Sequence, residues 1–175
     1  MIKFIFFLSL TLTPLFAQDI LPLRDRANLI DQIQKERIKK LLPKLMEEQD
    51  IDVWVMITRE YNEDPIVKTL LPPTWLNARR RTILVFSKTK IGIDPVAITR
   101  YNFGENIRSI WNKEEQPSQW EALSNYIVSQ NPQKIGINIS KYYGIADGLA
   151  KTDYDALIQS LPSKFQKRIV SAETL

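Results

Sequence analysis

The chain has 175 residues and contains no cysteine and no histidine. Without cysteine there is no disulfide, thiolate metal site or cysteine nucleophile, and without histidine there is no Ser-His-Asp triad or HExxH zinc site. Any catalysis within it would have to use carboxylates, Lys, Ser, Thr or Tyr. The apolar fraction of 44% and the charged fraction of 25% are those of a folded domain, and a net charge of +4 gives little support to nucleic-acid binding.

The first 17 residues have the order of a secretory signal peptide. Lys3 supplies a positive charge, an apolar stretch follows over residues 4–12, and Ala17 is a small residue at the cleavage position. The alternatives are an N-terminal buried strand or a signal anchor. The stretch is too short to span a bilayer, which takes about 20 apolar helical residues. We therefore predict an exported protein, periplasmic or secreted, with no membrane span after cleavage.

The mature chain begins with residues 18–27, which we predict to be a leader on the surface. An apolar stripe at helical spacing predicts a helix over residues 28–48. Pro43 should kink or break this helix, because proline lacks a backbone N–H and crowds the carbonyl of Lys39. Residues 51–57 predict a strand that is apolar on both faces, which is typical of a sheet covered by helices on both sides.

The remaining chain alternates between further predicted strands and helices. The patterns predict a short helix over 66–71, strands over 82–86 and 96–99, a helix capped by Ser118, a strand over 135–139, a helix opening at 152–155 and a last strand over 168–170. The order α-β-(α)-β-β-α-β-α-β predicts a mixed α/β fold with a central sheet. We see no internal linker, so one domain should span residues 28–175.

Two clusters of charged residues could carry function. Glu60, Glu63 and Asp64 follow a strand and could bind a divalent cation, although acidic residues near Asn and Pro are more often turn and cap residues. Residues 79–81 are three arginines at the start of a predicted strand. They could bind a phosphate or a carboxylate in a bidentate way, or they could pair with nearby acidic side chains.

Tyr61, Trp75 and Trp111 are large aromatic residues outside the strong helix and strand stripes. A domain that meets a neighbouring domain should expose an apolar or aromatic patch, and these three residues are its candidates. Arg81 could lie beside them and bind a carboxylate of a substrate or partner. The alternative is that all three aromatic side chains pack onto their own core.

Several segments match a known family when they are taken together and in order. They are REYNEDP (59–65), LPPTWLNARRRTILVF (71–86), WNKEEQPSQWEAL (111–123), KIGINIS with IADGLAKTDYD (134–140 and 145–155), and RIVSAE (168–173). Together they resemble the N-terminal domain of the pita-bread metallopeptidases, which include creatinase, prolidase and Xaa-Pro aminopeptidase. The similarity is greatest to exported aminopeptidase-P-like proteins and covers about residues 28–175.

This resemblance implies a mixed central sheet flanked by helices, of the creatinase N-terminal, ribonuclease-H-like type. It implies a non-catalytic domain that serves assembly and shapes the active site of a pita-bread catalytic domain, which would follow in the same polypeptide. That catalytic domain is absent from this sequence. In the family it binds two divalent metal ions, of the Mn, Co or Zn type, through two Asp, one His and two Glu.

The resemblance also bears on partners and on site residues. It implies a homodimer of the full-length enzyme and proline-containing peptides as substrates. No catalytic or metal-binding residue carries over to this chain, so we predict that the chain alone is inactive and binds no cofactor. Trp111 is in the best position to match an aromatic residue that reaches a neighbouring subunit's active site in some relatives.

Two other functions stay open at this stage. A stand-alone periplasmic binding or scaffolding module would also lack catalytic ligands. A ribonuclease-H-like nuclease would need carboxylates such as Asp52, Asp94 and Asp147 to converge on magnesium.

Overall fold

The computed structural model describes residues 20–175, and the predicted signal peptide lies outside the described residues. The helices are α1 (Leu23–Glu36), α2 (Leu42–Glu48), α3 (Gln119–Gln130), α4 (Lys151–Ser160) and α5 (Ser163–Gln166). The strands are β1 (Val53–Arg59), β2 (Arg81–Thr89), β3 (Gly92–Ala97), β4 (Arg108–Ser109), β5 (Ile135–Ile137) and β6 (Ile169–Ser171). A π-helical turn, Arg37–Leu41, joins α1 to α2, and short 3₁₀ turns occupy Pro65–Thr69 and Gly144–Ala146.

The strands form one six-stranded mixed sheet in the order β4-β3-β2-β1-β5-β6. Strands β1, β2 and β3 pair antiparallel, whereas β5 is parallel to β1, β6 is parallel to β5 and β4 is parallel to β3. Helices cover both faces of this sheet. The predicted mixed α/β fold with a central sheet flanked by helices is therefore confirmed.

Strand β1 separates two hydrophobic cores because its side chains alternate between the two faces of the sheet. Val53 and Val55 pack on the side of α3 and α4, while Trp54 and Met56 pack on the side of α2 and the π-helical turn. The first six residues of β1 are all buried. This is the double-faced burial that the apolar run over residues 51–57 predicts.

The first helix starts earlier than predicted and is interrupted where Pro43 predicts an interruption. It begins at Leu23, directly after Pro22, so it includes part of the segment 18–27 that was predicted to be a surface leader, and residues 20–26 are exposed. Pro43 is the second residue of α2, and the π-helical turn immediately precedes that helix. The predicted interruption at Pro43 is confirmed, since the missing N–H cannot continue a regular α-helical ladder.

The later elements follow the predicted order, with three short additions. Ser118 caps α3 and accepts a hydrogen bond from the Glu121 backbone N–H at 3.3 Å. Strand β4, helix α5 and the turn Gly144–Ala146 are too short to show a periodic pattern, so the sequence does not predict them. Within residues 20–175 no helix is both long and apolar enough to cross a bilayer.

Candidate functional site

A cleft with four arginines lies at one end of the sheet and has a volume of about 420 Å³. We call it the arginine cleft. It is lined by Arg79, Arg80, Arg81, Thr99, Arg100, Tyr101, Trp111 and Gln119. Among residues 20–175 no acidic side chain lines this cleft, so the lining carries a strongly positive charge.

Strand pairing brings these distant residues together. Strand β2 starts at Arg81 and runs antiparallel to β3, so the residues just after β3 lie beside the start of β2. The backbone N–H of Ile98 still donates to the carbonyl of Ile83 at 2.8 Å, which continues this pairing past the end of β3. Strand β4 is parallel to β3, and the chain after β4 therefore reaches Trp111 at the same end of the sheet.

Gln119, the first residue of α3, hydrogen-bonds that helix to the start of β2 and to the residue just after β3. Its side-chain amide donates to the carbonyl of Ile98 at 2.5 Å and to the carbonyl of Arg81 at 3.3 Å. These carbonyls belong to Arg81, which lines the cleft, and to Ile98, which directly precedes the lining residue Thr99. The helix start and the two strands thus form one wall.

Three of the four guanidinium groups lie over aromatic rings, those of Arg79, Arg81 and Arg100. The Arg79 guanidinium is 4.2 Å from the Trp75 ring centroid and 5.6 Å from that of Tyr101. Trp75 packs edge-on against Tyr101 and Phe103, with centroids 5.6 and 4.9 Å away. The Arg100 guanidinium lies 6.0 Å from the Trp111 centroid. Such cation–π contacts orient an arginine without neutralising its charge.

Arg80 adopts a left-handed backbone conformation with φ of 49°, which is unfavourable for a residue with a side chain. Glu60 stabilises this conformation through two hydrogen bonds. Its backbone N–H donates to the Arg80 carbonyl at 2.7 Å, and its carboxylate accepts from the Arg80 backbone N–H at 3.2 Å. Local strain that is held by a specific partner is common at binding sites.

Arg81 connects the cleft to a buried carboxylate. Its Nε lies 3.1 Å from Oδ1 of Asp153, although the N–H does not point at that oxygen. Asp153 also binds Arg59 through both carboxylate oxygens, at 2.6 and 2.7 Å, and this raises the pKa of Arg59. The Arg81 guanidinium also lies 4.8 Å from the Trp120 ring centroid. The single negative charge of Asp153 can balance only one of the two guanidinium charges. The cluster of Arg59, Arg81 and Asp153, which we call the junction, therefore keeps a net positive charge.

The structure brings some of the sequence-predicted site residues together and separates others. Arg81 and Trp111 line the same cleft, and Trp75 is linked to it through Arg79. Trp111 packs partly against the core on the α3 side, and its indole N–H donates to the Gln116 carbonyl at 2.7 Å. Tyr61 does not line the cleft and is 88% exposed.

Trp75 also lines a second groove, which lies between α1 and residues 71–76. Ile30 and Ile33 of α1 contribute to this groove, and Leu76 beside them is almost fully exposed. Aliphatic side chains therefore add to the exposed apolar surface around Trp75, and the sequence analysis does not select them.

The carboxylates of the loop after β1 accept hydrogen bonds from other groups of this chain. The Glu63 carboxylate accepts from the Tyr61 backbone N–H at 3.2 Å, and Glu60 holds the Arg80 turn. Asp64 is fully buried, where it accepts from the Ile66 backbone N–H at 2.8 Å and from the Asn138 side chain at 2.7 Å. Burial raises the pKa of Asp64. These contacts are those of turn and cap residues.

The carboxylates that a nuclease would need do not converge. Asp52 accepts from the backbone N–H groups of Gln133 and Lys134, whereas Asp94 pairs with Arg108. Among the described residues, no three His, Cys, Asp or Glu side chains come close enough together to bind a metal ion. The ribonuclease-H-like alternative therefore has no support in residues 20–175.

Sequence reasoning misses several contributors to the cleft. Arg100, Tyr101 and Gln119 carry no local motif, and only the β2–β3 pairing and the start of α3 bring them to the arginines. Asp153 is 94 residues from Arg59 in sequence. Spacing along the chain gives no signal for such a contact.

Comparison with known proteins finds structural likeness but no sequence match. No family model matches the chain, and no curated protein matches it. Among solved structures, an Xaa-Pro dipeptidase from Bacillus anthracis is similar with a TM-score of 0.45 and 11% sequence identity. The match covers 83% of this chain and 33% of the dipeptidase, so the chain spans about one third of that protein's length. A TM-score and a sequence identity this low give no information on the activity of this chain.

Proposed function

We propose that this chain is the non-catalytic N-terminal domain of an exported Xaa-Pro aminopeptidase- or dipeptidase-type metallopeptidase. Its role would be to support assembly and to shape the active site of a pita-bread catalytic domain in the same polypeptide. The complete enzyme would act as a homodimer on proline-containing peptides.

One observation carries this proposal, namely that separate segments of the family resemblance meet at Asp153. Asp153 belongs to the segment 145–155, and it contacts Arg59 of the segment 59–65 and Arg81 of the segment 71–86. The resemblance thus describes one connected structural feature, rather than scattered similarities.

The other segments adjoin this junction. Trp120 of the segment 111–123 lies under Arg81, with a centroid distance of 4.8 Å. Asn138 of the segment 134–140 donates to Asp64 at 2.7 Å, and its own side-chain oxygen accepts from the Trp54 indole N–H at 2.7 Å. The segment 168–173 pairs with β5 through β6. This arrangement supports reading the resemblance as a shared fold.

The two divalent metal ions of the family do not fit the described residues. The chain has no histidine or cysteine, and the described carboxylates form no cluster that could hold an ion. Hard oxygen ligands alone would also favour Mg²⁺ or Ca²⁺ over Zn²⁺. The proposal therefore assigns the metal ions, and the hydrolytic step with them, to the catalytic domain.

A stand-alone periplasmic binding module is the second candidate function. The arginine cleft favours it, because three of the four arginines in the cleft have no carboxylate partner among residues 20–175 and could bind a ligand directly. Such a module would need neither a catalytic domain nor a metal.

Peptide hydrolysis separates the two candidates. We expect the complete polypeptide to hydrolyse an Xaa-Pro dipeptide or a peptide with proline in second position when Mn²⁺ is supplied. The purified residues 18–175 should show no hydrolysis under the same conditions. Manganese- or zinc-dependent hydrolysis by residues 18–175, or a complete polypeptide without this activity, would overturn the proposal.

A further inference from the structure

The arginine cleft holds more positive charge than the described residues neutralise. Of its four arginines, only Arg81 forms a salt bridge within residues 20–175. Arg79, Arg80 and Arg100 are exposed and have no carboxylate partner in that part of the chain. Three like charges around one cleft repel one another, so a bound anion would relieve this repulsion.

Three neutral polar side chains of the cleft are already engaged with the backbone. The Thr99 hydroxyl donates to the Tyr101 carbonyl at 2.6 Å, the Trp111 indole N–H donates to the Gln116 carbonyl, and both hydrogen bonds donated by Gln119 go to strand carbonyls. The guanidinium groups, with the Tyr101 hydroxyl beside them, therefore remain as the side-chain donors for a ligand. A guanidinium presents a planar fork that matches the two oxygens of a carboxylate or phosphate.

The cleft is also partly preorganised. Arg79 lies over Trp75 and Arg100 lies near the face of Trp111, while the backbone at Arg80 is fixed by Glu60. Side chains that are already oriented lose less conformational entropy when a ligand binds. A volume of about 420 Å³ suits a small ligand rather than a folded protein surface.

We propose that the arginine cleft is a binding site for a small oxyanion with two or more negative charges, either a phosphate compound or a polycarboxylate. Its oxygens would accept hydrogen bonds from Arg79, Arg80 and Arg100 together. This inference goes beyond the proposed peptidase role and rests on the cleft alone. It can therefore be tested without a catalytic domain.

Calorimetric titration of the purified chain at constant low ionic strength tests this site. Pyrophosphate and citrate serve as probes for the two sources of oxyanion, and sodium chloride of equal ionic strength serves as the blank. We expect saturable binding of at least one probe. Tighter binding of pyrophosphate would assign the site to phosphate compounds, and tighter binding of citrate would assign it to polycarboxylates.

Substitutions of cleft arginines test whether the probe binds in the arginine cleft. Arg79→Gln and Arg100→Gln should each weaken binding by about tenfold or more, which is the effect of losing one charge-assisted hydrogen bond. Arg26→Gln is the matched control, because Arg26 is exposed on α1 and does not line the cleft. It should change the affinity less than twofold.

Melting temperatures of the variants show whether each one is folded, and either cleft variant suffices if the other fails to fold. The proposal is overturned if neither probe binds, or if both cleft variants bind like the wild type. It is also overturned if Arg26→Gln weakens binding as much as they do, since binding would then follow net charge alone.

Discussion

Asp153 is a buried carboxylate in the first turn of α4, where the helix dipole favours negative charge. It binds Arg59 through both oxygens and lies against Arg81. Removing one partner of a buried ion pair is costly, because the remaining charges lose their compensation. At the scale of single residues, this junction is where we expect the largest effects of substitution.

Replacing Asp153 by Asn keeps the shape of the side chain but removes its charge and turns an amide donor toward two arginines. We expect the free energy of unfolding, measured by urea denaturation, to fall by about 2–4 kcal/mol. Asp155→Asn is the control, because the exposed pair of Asp155 with Lys151 on the same helix should contribute less than about 1 kcal/mol. Equal losses in the two variants would contradict this account of the junction.

The buried carboxyl group of Asp64 predicts that the free energy of unfolding depends on pH. Burial raises its pKa above the usual 3.8, so the folded chain binds this proton more tightly than the unfolded chain does. The resulting stability is fully present below the unfolded pKa and is lost as the pH rises through the folded pKa.

Asp64→Asn cannot titrate, and comparing it with the wild type isolates this effect. The stability of the wild type relative to the variant, from denaturation at several pH values, should be greatest in acid. It should decrease as the pH rises through the folded pKa. A difference that is flat or increases with pH would show that burial does not control this carboxyl.

The sequence marks residues 79–81 as a candidate anion-binding cluster, whereas it does not identify the other residues that line the cleft. Arg100 and Gln119 reach the cleft only because β2 pairs with β3 and α3 starts beside them. Long-range contacts of this kind depend on strand order, and strand order leaves no trace in local residue spacing. The same reason explains why the sequence does not indicate the contact between Arg59 and Asp153.

At the scale of elements, α1 is attached to the rest of the chain through few contacts. Gln34 is its only buried residue, whereas Leu29, Ile30 and Ile33 are exposed. The Gln34 side chain donates to the Leu70 carbonyl and accepts from the Asn106 side chain at 2.8 Å. The π-helical turn that follows sets the rotation of α1, and thereby which of its residues faces the sheet.

Gln34→Ala should therefore loosen α1 without unfolding the sheet. We expect hydrogen exchange of the α1 amides to become faster, while the amides of β1 keep their protection. Gln32→Ala is the control, since Gln32 is exposed, lies two residues before Gln34 and therefore points to the other side of the helix, and it should leave exchange unchanged. An equal loss of protection in α1 and β1 would show instead that Gln34 supports the whole fold.

The elements that the sequence predicts well are those with a long periodic pattern. Strand β1 and the α3 and α4 helices each carry such a pattern, and Pro43 has a steric effect that does not depend on tertiary context. The early start of α1 was missed, although Pro22 and the acidic Asp25 in the first turn are recognised start signals. Strand β4 has two residues, which is too few to show a period.

At the scale of the whole molecule, export remains a prediction that the sequence alone supports. The charged start, the short apolar stretch and the small residue at position 17 predict cleavage between Ala17 and Gln18. The intact mass of the exported protein measures this cleavage directly. A mature protein that retains residues 4–12 would show that the segment is not a cleaved signal peptide.

The central claim is that this domain belongs to a metallopeptidase, and the coding sequence downstream of Leu175 tests it most directly. We predict that the reading frame continues and encodes a pita-bread domain with two Asp, one His and two Glu as metal ligands. A stop codon directly after Leu175 would contradict the claim and would favour a stand-alone binding module instead.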